Sequence, residues 1–310
     1  MTYPINQCYL YKIHSKKRLS KIFGLDLKKM MDISNTPIYK NFYILKKNKK
    51  DYRKIEYASD TLNGIQRKIH KYLANINKPK FLTGGVKSKS ILTNGKIHKN
   101  NNYWIKFDIS NFYVNCNRDY IYKFFLNDLK CSPDISEILT NLTTFEGHLI
   151  QGSSSSVDLS YFAYSKMFKQ LNDLALLNDL TFSTYIDDFT FSSNIPINID
   201  YISKNVLKIL RLYGHKAKRN KVKYYNINSN KLITGIVVNK NNEIRVPNYN
   251  REMIINLRRK IEDNDSCDLR DILSLIGMIN SARQIENGVF SNSYNYAQNI
   301  LKRLRKNKSY

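Results

Sequence analysis

Apolar positions along this chain recur with a period near 3.6 in some stretches and near 2 in others, and the change of period marks out the elements. Residues 15–23 and 26–33 set Leu19, Ile22, Phe23, Leu27 and Met30 among basic residues, which predicts two short helices against a larger body. Residues 40–45 and 52–57 alternate and predict two strands joined by the charged turn KKNKKD. Over 60–76, Leu62, Ile65, Ile69, Tyr72, Leu73 and Ile76 fall on one face of a helix capped near Ser59 or Asp60, with Gln66, Arg67 and Lys71 turned away. The run YWIKFDI at 103–109 is β-prone and ends on Asp108. Helices are expected at 118–130 and 134–142, separated by Pro133, and at 157–177, where Leu159, Phe162, Ala163, Leu171, Leu174 and Ala175 make one stripe. A hairpin at 181–193 (TFSTYIDDFTFSS) and a helix at 200–213 closing on Gly214 come next. Strand, helix, hairpin, helix in this order suits an antiparallel sheet backed by two helices. Residues 231–247 read as a hairpin around 239–242 ending at Pro247, the best boundary in the chain, and three amphipathic helices follow at 250–262, 268–285 and 291–306.

Composition adds the partner. A formal charge of +26, from 51 basic against 25 acidic residues in 310, exceeds what solubility requires and points to a polyanion, nucleic acid before a membrane surface. Abundant Asn, Lys, Ile and Tyr can also reflect the base composition of a genome, which leaves part of the lysine excess without a partner. No run approaches the roughly 20 apolar residues that span a bilayer, and the opening MTYPINQCYLYKIHSKK lacks the apolar core of a secretory signal. A cytoplasmic protein is expected, with Cys8, Cys116, Cys131 and Cys267 as scattered reduced thiols rather than zinc ligands.

The candidate chemistry sits in the acids. The hairpin at 181–193 lifts Asp187 and Asp188 side by side to its tip, where like charges repel unless a cation is present. An ordinary solvated turn also accepts Asp-Asp. Asp108 at the end of a buried strand needs a partner in the same way. If the two strands are neighbours, these carboxylates converge on hard divalent ions, the requirement of a phosphoryl-transfer site.

With these residues in place, the chain resembles a reverse transcriptase, and most closely the retron reverse transcriptases of bacteria. Asp108 with Phe112-Tyr113 resembles the first catalytic block, Tyr185-Ile186-Asp187-Asp188 the Tyr-x-Asp-Asp box, and HLIQGSSSS at 148–156 the Leu-Pro-Gln-Gly block with Ile150 for proline. Residues 214–222 resemble the next block, with Lys221 the expected lysine and Lys218 in place of asparagine. Asn94-Gly95-Lys96-Ile97-His98 resembles the retron signature Asn-Ala-x-x-His, and Ile233-Thr234-Gly235 resembles Val-Thr-Gly.

The resemblance implies an α+β right-hand polymerase. Its parts are N-terminal helices and fingers over 1–105, a palm with an antiparallel sheet backed by helices over 106–247 with part of the fingers interleaved, and a helical thumb over 248–310. No appended RNase H domain is expected at this length. Asp108, Asp187 and Asp188 are the implied catalytic acids, and with Ile109 they hold two Mg²⁺ ions, for which Mn²⁺ can substitute. Deoxynucleoside triphosphates are expected against Arg53, Lys54, Tyr113, Gln151, Gly152 and Lys221. Tyr113 excludes a ribose 2′-hydroxyl and Arg53 offers a bidentate guanidinium. RNA or DNA contacts are expected from Lys87, Lys89, Asn94, His98, Lys218, Arg219, Thr234 and Gly235, and from Arg251, Arg258, Arg259, Lys302 and Arg303 of the thumb, with His98 equally readable as orienting a turn and the segment of Lys87 and Lys89 as an ordinary flexible loop. Phe112 and Tyr113 are equally readable as core, the serines at 153–156 as a plain N-cap, and the lysines of 40–57 as a solvated loop.

The implied function is an RNA-directed DNA polymerase that copies a dedicated structured noncoding RNA from a 2′-hydroxyl into a small RNA-linked DNA (msDNA) for antiviral defence, alongside a separate effector protein. The alternatives are another defence-type or intron-derived polymerase, or a catalytically idle RNA-binding scaffold.

Overall fold

The computed structural model describes residues 2–45, 52–218, 221–263 and 268–306. Helices α1 (Lys16–Phe23) and α2 (Leu27–Asn35) begin where Ser15 and Asp26 accept hydrogen bonds from the amides of Arg18 and Lys29, satisfying N–H groups that a helix start leaves without partners. Strands β1 (Tyr39–Leu45) and β2 (Tyr52–Ala58) form an antiparallel ribbon, Tyr39 opposite Ala58 and Leu45 opposite Tyr52. Then come α3 (Asp60–Leu73), α4 (Ile91–His98) and β3 (Tyr103–Asp108). Helix α5 (Arg118–Lys123) runs into one turn of π-helix at Phe124–Asp128, and α6 (Pro133–Thr143) starts on a proline whose missing N–H costs nothing at a first turn. The short pair β4 (Thr144–Phe145) and β5 (His148–Leu149) precedes α7 (Ser156–Phe162), α8 (Ser165–Leu176), β6 (Thr181–Tyr185), β7 (Asp188–Ser193) and α9 (Ile199–Leu212). Strands β8 (Lys223–Tyr225), β9 (Lys231–Ile233), β10 (Ile236–Val238) and β11 (Ile244–Arg245) lead to α10 (Asn248–Glu262), α11 (Leu269–Ile285) and α12 (Ser291–Lys306).

The chain divides into two compact units. The first comprises Met1–Lys89, Ile105–Phe191 and Ile197–Tyr224. Its centre is a sheet of order β6-β7-β3-β8, in which Phe107, Phe182, Phe189 and Phe191 form an aromatic cluster with ring centroids 4.9 to 6.4 Å apart. Helix α8 buries Met167, Phe168, Leu171, Leu174 and Ala175, and α9 buries Ile202, Val206 and Leu210. Each full burial of such a side chain contributes on the order of 1.5–3 kcal/mol, with α8 lying against β6 and α9 against α8.

The second unit comprises Ser90–Trp104, Ser192–Pro196 and Tyr225–Tyr310. Helices α10, α11 and α12 pack around Ile254, Ile272, Leu275, Ile279, Ala297 and Leu301, and a smaller core joins Trp104 to Ile233, Ile236 and Val238 of the sheet β11-β10-β9.

Four details depart from the sequence reading. The single helix expected at 157–177 is two, broken at Tyr164, whose hydroxyl accepts from the Asn117 amide (2.8 Å) and donates to the Asn115 carbonyl (3.2 Å). Gln66, expected to face away, is buried because its amide donates to Tyr39 Oη and to the Leu142 carbonyl, both at 3.0 Å. Helix α4 carries no strong apolar stripe and forms on a capping box between Ser90 and Thr93. Residues 231–247 make two successive hairpins. The extra one turns at Thr234-Gly235, both at positive φ (43° and 90°), in the manner of the two-residue turns that match strand twist.

Candidate active site

β6 and β7 are linked by Ile186 and Asp187, and Ile186 sits at φ 62°, a left-handed conformation that is strained for a β-branched residue. The amide of Ile109, just past the end of β3, donates to the Asp187 carbonyl at 3.0 Å. That bond brings Asp108 and Asp187 together from residues far apart in sequence. Burial, then the charges of Asp188 and Asp108, push the Asp187 carboxyl up to about 6, so these acids share one electrostatic environment.

Lysines answer part of this charge. Asp108 accepts from Lys218 and from Lys221 Nζ (2.9 Å), and Lys106 Nζ lies 3.4 Å from Asp188 Oδ2. The bond to Asp108 raises the Lys221 ammonium above its ordinary range. Among the described residues no three His, Cys, Asp or Glu side chains are gathered into a ready-made metal set, and both oxygens of Asp108 are engaged by lysines. The donor chemistry still fits a hard divalent ion: carboxylate oxygens on adjacent strands, the pKa of one carboxyl raised by burial and then by its negative neighbours, so that a cation would relieve the repulsion.

The nucleotide candidates surround these acids unevenly. Phe112 is buried against Phe168 and His215, whereas Tyr113 is half-buried, its hydroxyl pKa raised first by burial and then by the Asp187 charge. The two readings of this aromatic pair thus divide, Phe112 as core and Tyr113 beside the acids. Gln151 and Gly152 are exposed, and the Gly152 amide donates to the Glu56 carbonyl at 3.1 Å. A Cβ at Gly152 would lie 2.2 Å from that oxygen, so only glycine allows this loop to meet β2. Lys54 is paired with Glu56 at 2.8 Å, Arg53 lies on β2 opposite Ile44, and the Arg53 side chain, like Arg219, lies outside the described residues.

Of the expected nucleic-acid contacts, several are internal. Asn94 is buried and donates to Thr234 Oγ1 (3.3 Å), so the two retron-like signatures meet each other. His98 is fully buried, shares a hydrogen bond with Ser192 Oγ (2.6 Å), and is pushed by burial down to about 3. Both side chains are thus turned inward within the second unit. Thr234 and Gly235 form a half-buried turn. Lys89 donates to the carbonyls of Lys80 (2.9 Å) and Leu82 (2.8 Å). Arg251 is held by Glu286 and the Val246 carbonyl, and Arg258 by Glu262, Ser293 and the ring of Tyr296. Lys87, Arg259, Lys302 and Arg303 are exposed. Sequence reasoning missed Lys106, whose position two residues before Asp108 puts it on the same strand face, and a buried carboxylate at Asp158, for which the local pattern carried no signal.

Comparison with known proteins follows the same lines. Residues 44–250 match the family model described as reverse transcriptase (RNA-dependent DNA polymerase). The Retron Se72 reverse transcriptase of Salmonella heidelberg is 30% identical over 208 residues, 64% of this chain and 52% of that protein, so the chain spans about half the length of this relative. The Retron Ec83 reverse transcriptase of Escherichia coli is 25% identical over 278 residues, covering 85% of this chain and 89% of that one. Among solved structures, telomerase from Candida albicans, in complex with a fragment of telomeric RNA, superposes with a TM-score of 0.53 at 14% identity, over 86% of this chain and 56% of that one. That likeness shows the expected α+β polymerase fold.

Proposed function

This chain belongs to the reverse transcriptase (RNA-dependent DNA polymerase) family, and on that premise we propose that it is the RNA-directed DNA polymerase of a retron. It copies part of a dedicated structured noncoding RNA, starting from an RNA 2′-hydroxyl, into a small RNA-linked DNA used with a separate effector protein in antiviral defence. The retron reverse transcriptases among its relatives support this reading. The observation that carries the chemistry is the Ile109-to-Asp187 backbone bond, which makes one acidic site from two distant segments.

A reverse transcriptase domain implies a divalent cation, and here Asp108 with the adjoining Ile109, Asp187 and Asp188 would hold Mg²⁺. When bound, such ions lower the charge barrier to attack by a hydroxyl on a triphosphate and to departure of pyrophosphate. The chain's own residues prepare for this. Asp187 must be deprotonated to serve, and Asp108 must release Lys218 and Lys221, which are then free to face phosphate oxygens. Tyr113 sets a flat ring where a 2′-hydroxyl would project, and Lys54 offers a further cation from β2. No side-chain nucleophile is required. The charge of +26 suits a duplex of RNA and DNA, with the exposed Arg259, Lys302 and Arg303 as phosphate contacts. A cytoplasmic location belongs to the same reading; among the described residues no helix is long and apolar enough to cross a membrane.

The test is metal removal. Purified protein given a primed RNA template and deoxynucleoside triphosphates should incorporate nucleotides with Mg²⁺, stop on chelation, and resume when Mg²⁺ is restored. Nucleic acid extracted from the protein in its host should contain a discrete DNA that shortens on debranching. Heterogeneous RNA and no metal-dependent incorporation would leave an RNA-binding scaffold.

A further inference from the structure

Asp158, in the first turn of α7, is completely buried and has two partners: the Lys78 ammonium, Nζ at 2.5 Å on one oxygen, and the His70 imidazole, Nδ1 at 2.5 Å on the other. Lys78 itself is 4% exposed. Burying a carboxylate and an ammonium costs several kcal/mol per ion, and a buried pair of this kind often stabilises a fold less than apolar residues of the same size. Stability alone is therefore a poor reason for it.

Its connections suggest another. The Lys78 ammonium also donates to the Gly85 carbonyl at 3.2 Å, closing a loop over residues 78–85. Within that loop the Thr83 amide donates to the Thr184 carbonyl and the Thr184 amide to the Phe81 carbonyl, both at 2.9 Å, so residues 81–83 lie alongside β6 as a parallel strap. Thr83 Oγ1 adds a second bond to the same carbonyl at 2.9 Å. The strap ends against the acidic turn: a Cβ on Gly84 would lie 2.6 Å from the Ile186 nitrogen and 2.9 Å from the Tyr185 carbonyl carbon. Gly85, at φ 66°, is pressed against α7, where a Cβ would fall 2.1 Å from Val157 Cγ1.

We propose that Asp158 is a positioning residue for the Tyr185-Ile186-Asp187-Asp188 turn, acting through Lys78 and the strap at 81–85. The strained Ile186 backbone needs an outside constraint to hold it, because a left-handed β-branched residue relaxes when its surroundings permit. The strap supplies that constraint on one side, and the Asp158–Lys78 pair fixes the strap to α7. In its catalytic consequence this rests on the polymerase reading above; in its structural consequence it does not.

The test joins two substitutions that leave no buried charge unpaired, Asp158→Asn with Lys78→Met. Hydrogen exchange of the peptide spanning 181–188 should quicken about tenfold in the double variant, with β9 to β11 unchanged. The Mg²⁺ concentration for half-maximal incorporation should rise and kcat fall by about 10- to 100-fold, while affinity for primed template stays at the wild-type value. A folded double variant with wild-type exchange at the turn and a wild-type Mg²⁺ requirement overturns the proposal. Wild-type protein serves as the second measurement, independent of how the variant folds. Amides of Thr83, Thr184 and Ile109 should open with one free energy and one denaturant slope, and independent opening of the strap overturns it. Absence of incorporation by the wild-type protein refutes the polymerase reading instead, leaving the exchange results to judge the strap.

Discussion

Asp187→Asn protein is expected to bind RNA as the parent does and to incorporate nucleotides at least roughly 10³-fold more slowly, since a whole charge is lost where the reaction's own charge is stabilised. In chelator, the same variant is expected to be more stable than its parent. The Asp187 carboxyl titrates near 6 in the folded chain, against an ordinary value near 3.8, because burial and its acidic neighbours disfavour the ionised form. Between these values the folded state holds a proton that the unfolded state has lost. Stability therefore falls as pH rises from about 4 to about 6, and above that the full penalty, on the order of 1–3 kcal/mol, is present. Asparagine removes the penalty. Melting curves of metal-free protein at pH 4 and pH 8 should thus separate parent from variant only at the higher pH, and a variant that is active, or no more stable than its parent at pH 8, contradicts the assignment.

Tyr113→Ala is expected to lower the preference for deoxynucleotides over ribonucleotides by about 10²-fold, measured as the ratio of kcat/KM for dNTP and rNTP. The ring is half-buried and its hydroxyl feels the Asp187 charge, and the neighbouring Phe112 anchors the segment in the core. The substitution should therefore open the sugar pocket with little loss of fold. Phe112→Ala is the contrast: about 3–5 kcal/mol of stability should go with the buried ring. Unchanged selectivity in Tyr113→Ala would show that the ring does not contact the sugar.

The acidic site was legible in the sequence because it breaks rules that a plain core obeys. A carboxylate closing an apolar strand at Asp108, and two more at a hairpin tip, demand partners. Periodicity likewise announced α3, α9 and the three final helices. What stayed hidden depends on contacts between distant residues. Asp158 meets partners 80 and 88 residues away, and no local pattern distinguishes it from an exposed acid in a helix's first turn. Tyr164 interrupts an unbroken apolar stripe because its hydroxyl is drawn to Asn115 and Asn117. Asn94 and His98 looked like surface readers of RNA because polar residues in a recognisable signature invite that interpretation; the fold turns them inward to Thr234 and Ser192. Gly84 lies against the backbone of the acidic turn itself, a contact between segments about 100 residues apart that no local pattern announces.

Asp108 and Asp187 are expected to share a divalent cation when template and nucleotide are bound. The most direct measurement is anomalous scattering from crystals of the ternary complex grown with Mn²⁺. A manganese peak between the two carboxylates, with Lys218 and Lys221 withdrawn from Asp108, is the predicted result; manganese bound elsewhere, with both lysines still on Asp108, would contradict it.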